Sequence, residues 1–175
     1  MTKTKQLALY AVLIALALAL SYTERLIPLQ LLIPLPGVKL GLANIVTLIT
    51  LYLLGTKHAF WVLIPRCILG AIFGGGITGL LFSLFGGVMA LTTMALSKKL
   101  PIFSIYGVSL LGAAAHNIGQ ILAAILVMRS VYIGAYLPYL LIVSLFTGFA
   151  IGGTCAGILR NLRSVSVSVI SEMHR

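Results

Sequence analysis

Hydrophobic residues along this chain form six long segments, separated by short stretches that hold most of the charged residues. Apolar residues cover every face of a helix in each segment, which is typical of helices surrounded by lipid. The pattern predicts an all-α membrane protein, a bundle of six transmembrane helices over residues 5–22, 40–54, 59–73, 77–96, 105–128 and 136–159. The second is short, about 22 Å at 1.5 Å per residue, so we expect it to start below the membrane surface.

The composition leads to the same class. Of 175 residues, 61% are hydrophobic and only 8% are charged, and the mean hydropathy is +1.17. A soluble domain of this length needs a far more polar surface. We therefore expect residues 1–175 to form a single integral membrane domain of a multi-pass protein in the cell membrane, with a short polar C-terminal tail.

The positive charges are divided unevenly between the predicted helices. The net charge is +10, and placing the N-terminus inside the cell puts most of it on the inner side. The inner residues are then Lys3, Lys5, Lys57, Lys98, Lys99, Arg160, Arg163 and Arg175, and the outer ones are Arg25, Lys39 and Arg129. The positive-inside rule thus predicts that both termini are cytoplasmic, and it explains the charge without a nucleic-acid partner.

The stretch PLPGVKLGLANIVTL, residues 34–48, interrupts the apolar pattern after the first segment. Pro34 and Pro36 disfavour a helix, and Gly41 permits a tight turn. The sequence predicts an extracellular loop over residues 23–39 that forms the edge of a binding site and turns into a helix near residue 40. Lys39 and Asn44 would lie near the start of that helix, where free N–H groups suit an anion.

Few polar side chains remain within the predicted spans, and they are expected to face the bundle interior. Because the helix depths place them near one another, we predict a cavity open to the outside that binds a small, anionic solute. Its candidate residues are Lys39, Asn44, Arg66, His116, Asn117 and Gln120. Two structural interpretations stay open. Arg66 could pair with helix carbonyls or Glu24, and His116 and Asn117 could hydrogen-bond neighbouring helices.

Several chemical groups are missing from the sequence. The chain has no aspartate, no GxxxxGK[ST] loop and no pair of carboxylates that would hold magnesium. We therefore expect no enzyme activity, no metal site and no cofactor in this chain. A solute-binding protein without a visible energy source requires a partner.

The residues also resemble a known family. PGVKLGLANIVTL at 36–48, Arg66, FSLFGG at 82–87 and GVSLLGAAAHNIGQ at 107–120 resemble the family called "Gx transporter" or "heptaprenyl diphosphate synthase component I". That family is similar to the substrate-binding S components of energy-coupling factor (ECF) transporters, which are six-helix proteins. In those proteins the loop after the first helix closes over the binding site, so the resemblance implies that residues 23–39 are an extracellular lid. The resemblance implies an ECF-type ABC importer, whose partners are a transmembrane coupling subunit and two ATPase subunits that use ATP. It also implies that a first-helix face, here Ala11, Ala15 and Ala19, docks on the coupling subunit.

Other interpretations remain open. The alanine face could serve packing inside the bundle, because small residues four apart let any helix approach closely. The chain could be a non-catalytic membrane partner of a prenyl diphosphate synthase in isoprenoid or quinone biosynthesis, which fits the second family name and predicts a stable complex with the synthase and no small-ligand site. It could also be a membrane electron carrier that uses Cys67 and Cys155, although two cysteines without CxxC spacing are a weak metal signal.

Overall fold

The structure is a computed structural model that describes residues 3–25 and 39–173, with side chains for 3–24 and 39–162. Every regular element in these ranges is helical. The α-helices are α1 Lys3–Arg25, α2 Asn44–Leu53, α3 Thr56–Gly70, α4 Gly76–Ser97, α5 Ile105–Met128 and α6 Leu137–Met173. A π-helical turn at Ala71–Gly75 joins α3 to α4, and a 3₁₀ turn at Val131–Tyr136 precedes α6.

The segment between α1 and α2 starts later than the sequence predicts. Helix α1 continues to Arg25, so residues 23–25 belong to the helix and not to the predicted loop. Helix α2 starts at Asn44 and not near residue 40, because Gly41 has a φ of 85°, which a right-handed helix does not accommodate. The rest of the predicted lid, residues 26–38, lies outside the described residues.

Helix α3 begins and ends about three residues earlier than predicted. It starts at Thr56 because Gly55, with a φ of 95°, ends the preceding turn and leaves the next residue free to begin a helix. After Gly70 the helix widens into the π-helical turn, in which Gly74 has a φ of 112°. Glycine adopts this angle at little cost, so the predicted break before α4 lies within this turn.

Helix α6 is longer than predicted. The backbone is helical through Met173, whereas the sequence pattern predicted an end at residue 159 followed by an Arg160/Arg163 tail. No glycine or proline follows Gly157, so no residue in this stretch strongly opposes a helix, and its polar character does not end one. Arg160 and Arg163 are therefore part of α6.

The helices alternate in direction, so α1 and α3 run parallel to each other. Tyr10 on α1 hydrogen-bonds His58 on α3, and Ser21, further along α1, lies 3.5 Å from Arg66. Glycines allow the antiparallel helices to lie close together. A Cβ added to Gly87 on α4 would collide with Leu63 on α3. In the same way, Gly119 on α5 lies against Phe85 on α4, and Gly148 on α6 lies against Leu110 on α5.

Four helical segments are long and apolar enough to cross a membrane: Lys3–Glu24, Thr56–Ser97, Ile105–Met128 and Val131–Leu162. Helix α2 is apolar but shorter. Large apolar side chains such as Trp61, Tyr132 and Phe146 are exposed on the outside of the bundle, where lipid would cover them. The protein is therefore a multi-pass membrane protein.

Candidate functional site

Buried polar side chains collect at one end of the bundle, where α1 ends and α2 begins. Each is nearly inaccessible, which is costly in an apolar interior unless the group is paired. The members that lie around this point are Ser21, Glu24, Asn44, Arg66, Ser83, His116 and Gln120, and Lys39 reaches them from the backbone just before α2. The site thus combines side chains from α1 to α5.

Lys39 connects this segment to α4 and α5. Its Nζ donates to Ser83 Oγ at 2.8 Å, and its backbone N–H donates to Gln120 Oε1 at 3.2 Å. Gln120 Nε2 lies 3.0 Å from His116 Nε2, one turn earlier on the same face of α5. Three of the sequence-predicted site residues therefore form one hydrogen-bonded chain.

The tautomer of His116 follows from this chain. Because a backbone N–H can only donate, Gln120 Oε1 is the acceptor for Lys39, and the Gln120 amide nitrogen is left to donate to His116 Nε2. Nε2 must then lack a proton, so a neutral ring carries its proton on Nδ1. The ring lies against Gly86, where an added Cβ would be 2.8 Å from Nδ1. His116 is thus a neutral residue of the site, and its Nδ1 has no hydrogen-bond partner among the described residues.

Glu24 holds the segment before α2 to the end of α1. Its Oε1 accepts the backbone N–H of Gly41 at 2.5 Å. Lys39 and Arg66 both lie near enough to act on Glu24 electrostatically. From the sequence, Glu24 was a possible partner of Arg66. In the structure its hydrogen-bond donor is the backbone N–H of Gly41.

Arg66 is 6% exposed and is only partly paired. One terminal nitrogen, Nη1, lies 3.5 Å from Ser21 Oγ. Its Nε and Nη2 have no hydrogen-bond partner within the described part of the chain. Nη2 faces Gly87, where an added Cβ would come within 3.3 Å. A buried guanidinium therefore keeps two donors for a group that the described residues do not supply.

Asn44, in the first turn of α2, also has buried polar atoms without hydrogen-bond partners. It is 3% exposed, and neither its Nδ2 nor its Oδ1 has a partner among the described residues. Gly41 separates it from His116: a Cβ there would be 2.8 Å from Asn44 Nδ2 and 3.2 Å from His116 Nε2. Asn44 therefore offers one donor and one acceptor beside the Lys39–Gln120–His116 chain.

Asn117 lies apart from the other predicted site residues. Its Nδ2 donates to the carbonyl of Leu140 on α6 at 2.8 Å, and its side chain is buried. As the neighbour of His116 on a helix it points about 100° away from that residue. The structure thus places Asn117 at the α5–α6 contact, which is the packing role that the sequence left open.

The predicted docking residues lie far from this chemistry. Ala11, Ala15 and Ala19 are exposed on α1, whereas Ala17 on another face is buried. The alanine face is therefore largely uncovered by the described part of the bundle.

Two features of the site were not predicted from the sequence. Ser21 is the neighbour of the Arg66 guanidinium, yet it sits in an ordinary apolar segment without a distinguishing pattern. Gly86 and Gly87 bring α4 against His116 and Arg66. The motif FSLFGG contained both glycines, and two adjacent glycines within a helix were the signal that another group approaches there.

A second polar region lies at the opposite end of the bundle. A cavity of about 460 Å³ opens between the starts of α1 and α3. Its Gln6, Tyr10 and His58 hydrogen-bond one another, and its Lys3 and Lys57 are exposed. Because these polar groups bond to each other or face solvent, this cavity has less need of a ligand than the site around Arg66.

The described residues contain no group of three His, Cys, Asp or Glu side chains that could hold a metal ion. Cys67 and Cys155 are buried free thiols, and Cys155 Sγ lies 3.4 Å from the carbonyl of Ile45. Nothing in this arrangement favours an electron carrier.

The chain was compared with known proteins. No curated protein and no solved structure matches it. A family model does match, over residues 13–158, which covers most of the chain and all parts of the site. The protein therefore belongs to the family described as heptaprenyl diphosphate synthase component I.

Proposed function

We propose that this protein is a non-catalytic membrane subunit that binds a small anionic ligand in the buried site around Arg66. The observation that carries the proposal is the Arg66 guanidinium, which is 6% exposed and has two nitrogens, Nε and Nη2, without a partner among the described residues. A buried cation with unused donors is costly unless a ligand completes it. Asn44 adds two further unused polar atoms.

The charges of the site favour an anion. Lys39 and Arg66 are cationic, Glu24 is the one acid among the described site residues, and His116 is neutral by its tautomer. The formal sum is one positive charge. An anionic ligand would neutralise it, and charge-assisted hydrogen bonds are stronger than those between neutral groups.

The family description favours a partner that makes heptaprenyl diphosphate. The word "component" implies a subunit that works beside another, and a chain without aspartate lacks the carboxylate pairs that hold magnesium. We therefore propose that this chain is the membrane subunit of such an assembly and leaves catalysis to its partner. Its ligand would then belong to isoprenoid or quinone biosynthesis.

A second candidate is the S component of an ECF-type importer. The exposed face of Ala11, Ala15 and Ala19 favours it, because small residues four apart allow close helix contact in lipid. In this proposal all six α-helices span the cell membrane, both termini are cytoplasmic, and a coupling subunit with two ATPase subunits drives uptake. The comparisons give this candidate less support than the first.

Co-purification separates the two partners. The tagged chain is expressed with a heptaprenyl diphosphate synthase and with candidate ECF subunits, and the retained proteins are identified in mild detergent. Retention of the synthase supports the first assembly. Retention of the coupling subunit and ATPases would instead support the importer. In that case Ala15→Leu should lose these subunits, whereas Ala150→Leu, on the exposed side of α6, should retain them.

Ligand retention tests the site itself. The protein and its Arg66→Ala variant are purified from the same cells, and small molecules released by denaturation are compared by mass spectrometry. We expect an anion at close to one equivalent in the parent protein and in Arg160→Ala, an exposed control, and its loss in Arg66→Ala. Equal retention by all three proteins would remove Arg66 from the site.

A further inference from the structure

We infer that the ligand of this site is a small monocarboxylate that also carries a neutral hydrogen-bonding group, such as a hydroxyl. The inference rests on the proposed function and defines the chemical class of its ligand. Three observations carry it: which Arg66 nitrogens are unused, how much charge the site holds, and what Asn44 offers.

The two unused nitrogens of Arg66 form one face of its guanidinium. Nε and Nη2 point their N–H bonds in nearly the same direction, while Nη1 is turned to Ser21. This pair matches the spacing of two oxygens on one carbon or phosphorus atom and binds them by two parallel hydrogen bonds. A halide or a single hydroxyl would use only one of the two donors.

The charge of the site favours a carboxylate over a diphosphate as the ligand. The described residues of the site hold two cations and one carboxylate, a formal charge of +1, and the hydrogen bonds of Gln120 keep His116 neutral. A monoanion balances this charge. A diphosphate brings two or more negative charges into a buried space with only one to oppose them, and excess buried charge is strongly unfavourable.

Asn44 defines the other part of the ligand. Its amide presents a donor and an acceptor, and both lack partners among the described residues. A hydroxyl group both donates and accepts, so it satisfies this amide, whereas a second charged group would match only one of its atoms. The ligand is therefore expected to be charged at Arg66 and neutral at Asn44.

Thermal unfolding of the full-length protein in lipid nanodiscs tests the inference with five probes: lactate, propionate, lactamide, inorganic phosphate and inorganic pyrophosphate. Lactate carries a carboxylate and a hydroxyl, propionate lacks the hydroxyl, and lactamide lacks the charge. We expect lactate to raise the Tm most, propionate less, and lactamide and pyrophosphate not at all. Arg66→Lys keeps the charge but loses the paired donors, and should weaken lactate binding about tenfold or more.

Two controls keep the outcomes distinct. Arg160→Lys, at an exposed position, should bind like the parent protein. Should Arg66→Lys fail to fold, Asn44→Leu serves instead and should abolish the preference for lactate over propionate.

Each contradicting result would overturn a different part of the inference. A Tm raised by either phosphate probe and not by the carboxylates would overturn the monocarboxylate and leave the proposed anion site standing. Undiminished lactate binding by Arg66→Lys would overturn the role of the paired donors, and an unchanged preference in Asn44→Leu would overturn the neutral group at Asn44. No response to any of the five probes would count against both the inference and the proposed function.

Discussion

At the scale of single residues, the site is defined by which polar atoms have partners. Lys39, Gln120 and the Nε2 of His116 form a hydrogen-bonded chain, whereas Arg66, Asn44 and the Nδ1 of His116 keep polar atoms without a partner among the described residues. In an apolar interior, polar groups that have hydrogen-bond partners hold their side chains in place. Polar groups without partners raise the free energy of the ligand-free protein. Lys39 and Gln120 therefore position the site, Arg66 and Asn44 are expected to contact the ligand, and the Nδ1–H of His116 is a further unused donor beside them.

Asn117 should affect stability and not binding. Asn117→Ala removes the hydrogen bond to the Leu140 carbonyl and should lower the free energy of unfolding by about 1 kcal/mol, with ligand affinity unchanged within about twofold. Gln120→Ala, which removes the link between Lys39 and His116, frees both of those residues and should weaken binding. Unfolding in detergent and ligand titration give the two quantities. Lost affinity with full stability in Asn117→Ala would return this residue to the site.

At the scale of elements, glycines determine how closely the helices approach. Gly119 on α5 lies against the backbone of α4, and an added Cβ would come within 2.5 Å of the Phe85 carbonyl oxygen. A backbone atom cannot turn aside as a side chain can. The same pair of helices carries Ser83, His116 and Gln120, so the site depends on this close approach.

Gly119→Ala is therefore expected to separate α4 from α5. The cost should be about 1–3 kcal/mol in the free energy of unfolding, as for other overpacked contacts. Gly79→Ala on α4 is the matched control, because a Cβ there meets no atom within 4 Å, and the higher helix propensity of alanine should leave stability unchanged or raise it by up to about 1 kcal/mol. Equal effects of the two substitutions would contradict the close contact.

The sequence predicted some elements better than others, for physical reasons. The bounds of α5 coincide with the predicted segment 105–128, since Ser104 caps its start and Arg129, with a φ of 50°, ends it. The starts of α2 and α3 differ because single glycines, Gly41 and Gly55, take positive φ angles that a hydropathy pattern does not reveal.

The sequence indicated which residues belong to the site but not which groups they contact. Rare polar residues within apolar segments indicated Asn44, Arg66, His116 and Gln120, because such residues are costly in lipid. The contact of Asn117 with the Leu140 carbonyl depends on how α5 lies against α6, and the Ser21 contact depends on how α1 lies beside α3. Neither arrangement is encoded in local spacing.

At the scale of the whole molecule, the helix directions put the start of α1 and the end of α6 at the same end of the bundle. That end also holds Lys57 at the start of α3 and Lys98 at the end of α4. The candidate site lies at the other end, with Glu24 and Lys39. A protein inserted by the positive-inside rule would then open its site to the outside of the cell.

Cysteine labelling tests this orientation. Arg129→Cys should react with a membrane-impermeant maleimide in intact cells, and Lys99→Cys should react only after lysis. The native thiols of Cys67 and Cys155 are buried, so they should add little background. The reverse pattern of labelling would place the site on the cytoplasmic side and would exclude the uptake of an external solute through it.

The measurement that most directly tests the proposed site is an experimental density map of the protein purified from its own membranes, in complex with a rigid antibody fragment. We expect density for a small molecule that contacts Arg66 Nε and Nη2 and reaches Asn44. A map in which the protein's own groups occupy all of these hydrogen-bonding positions would contradict the proposal, because the unused donors would then serve the fold alone.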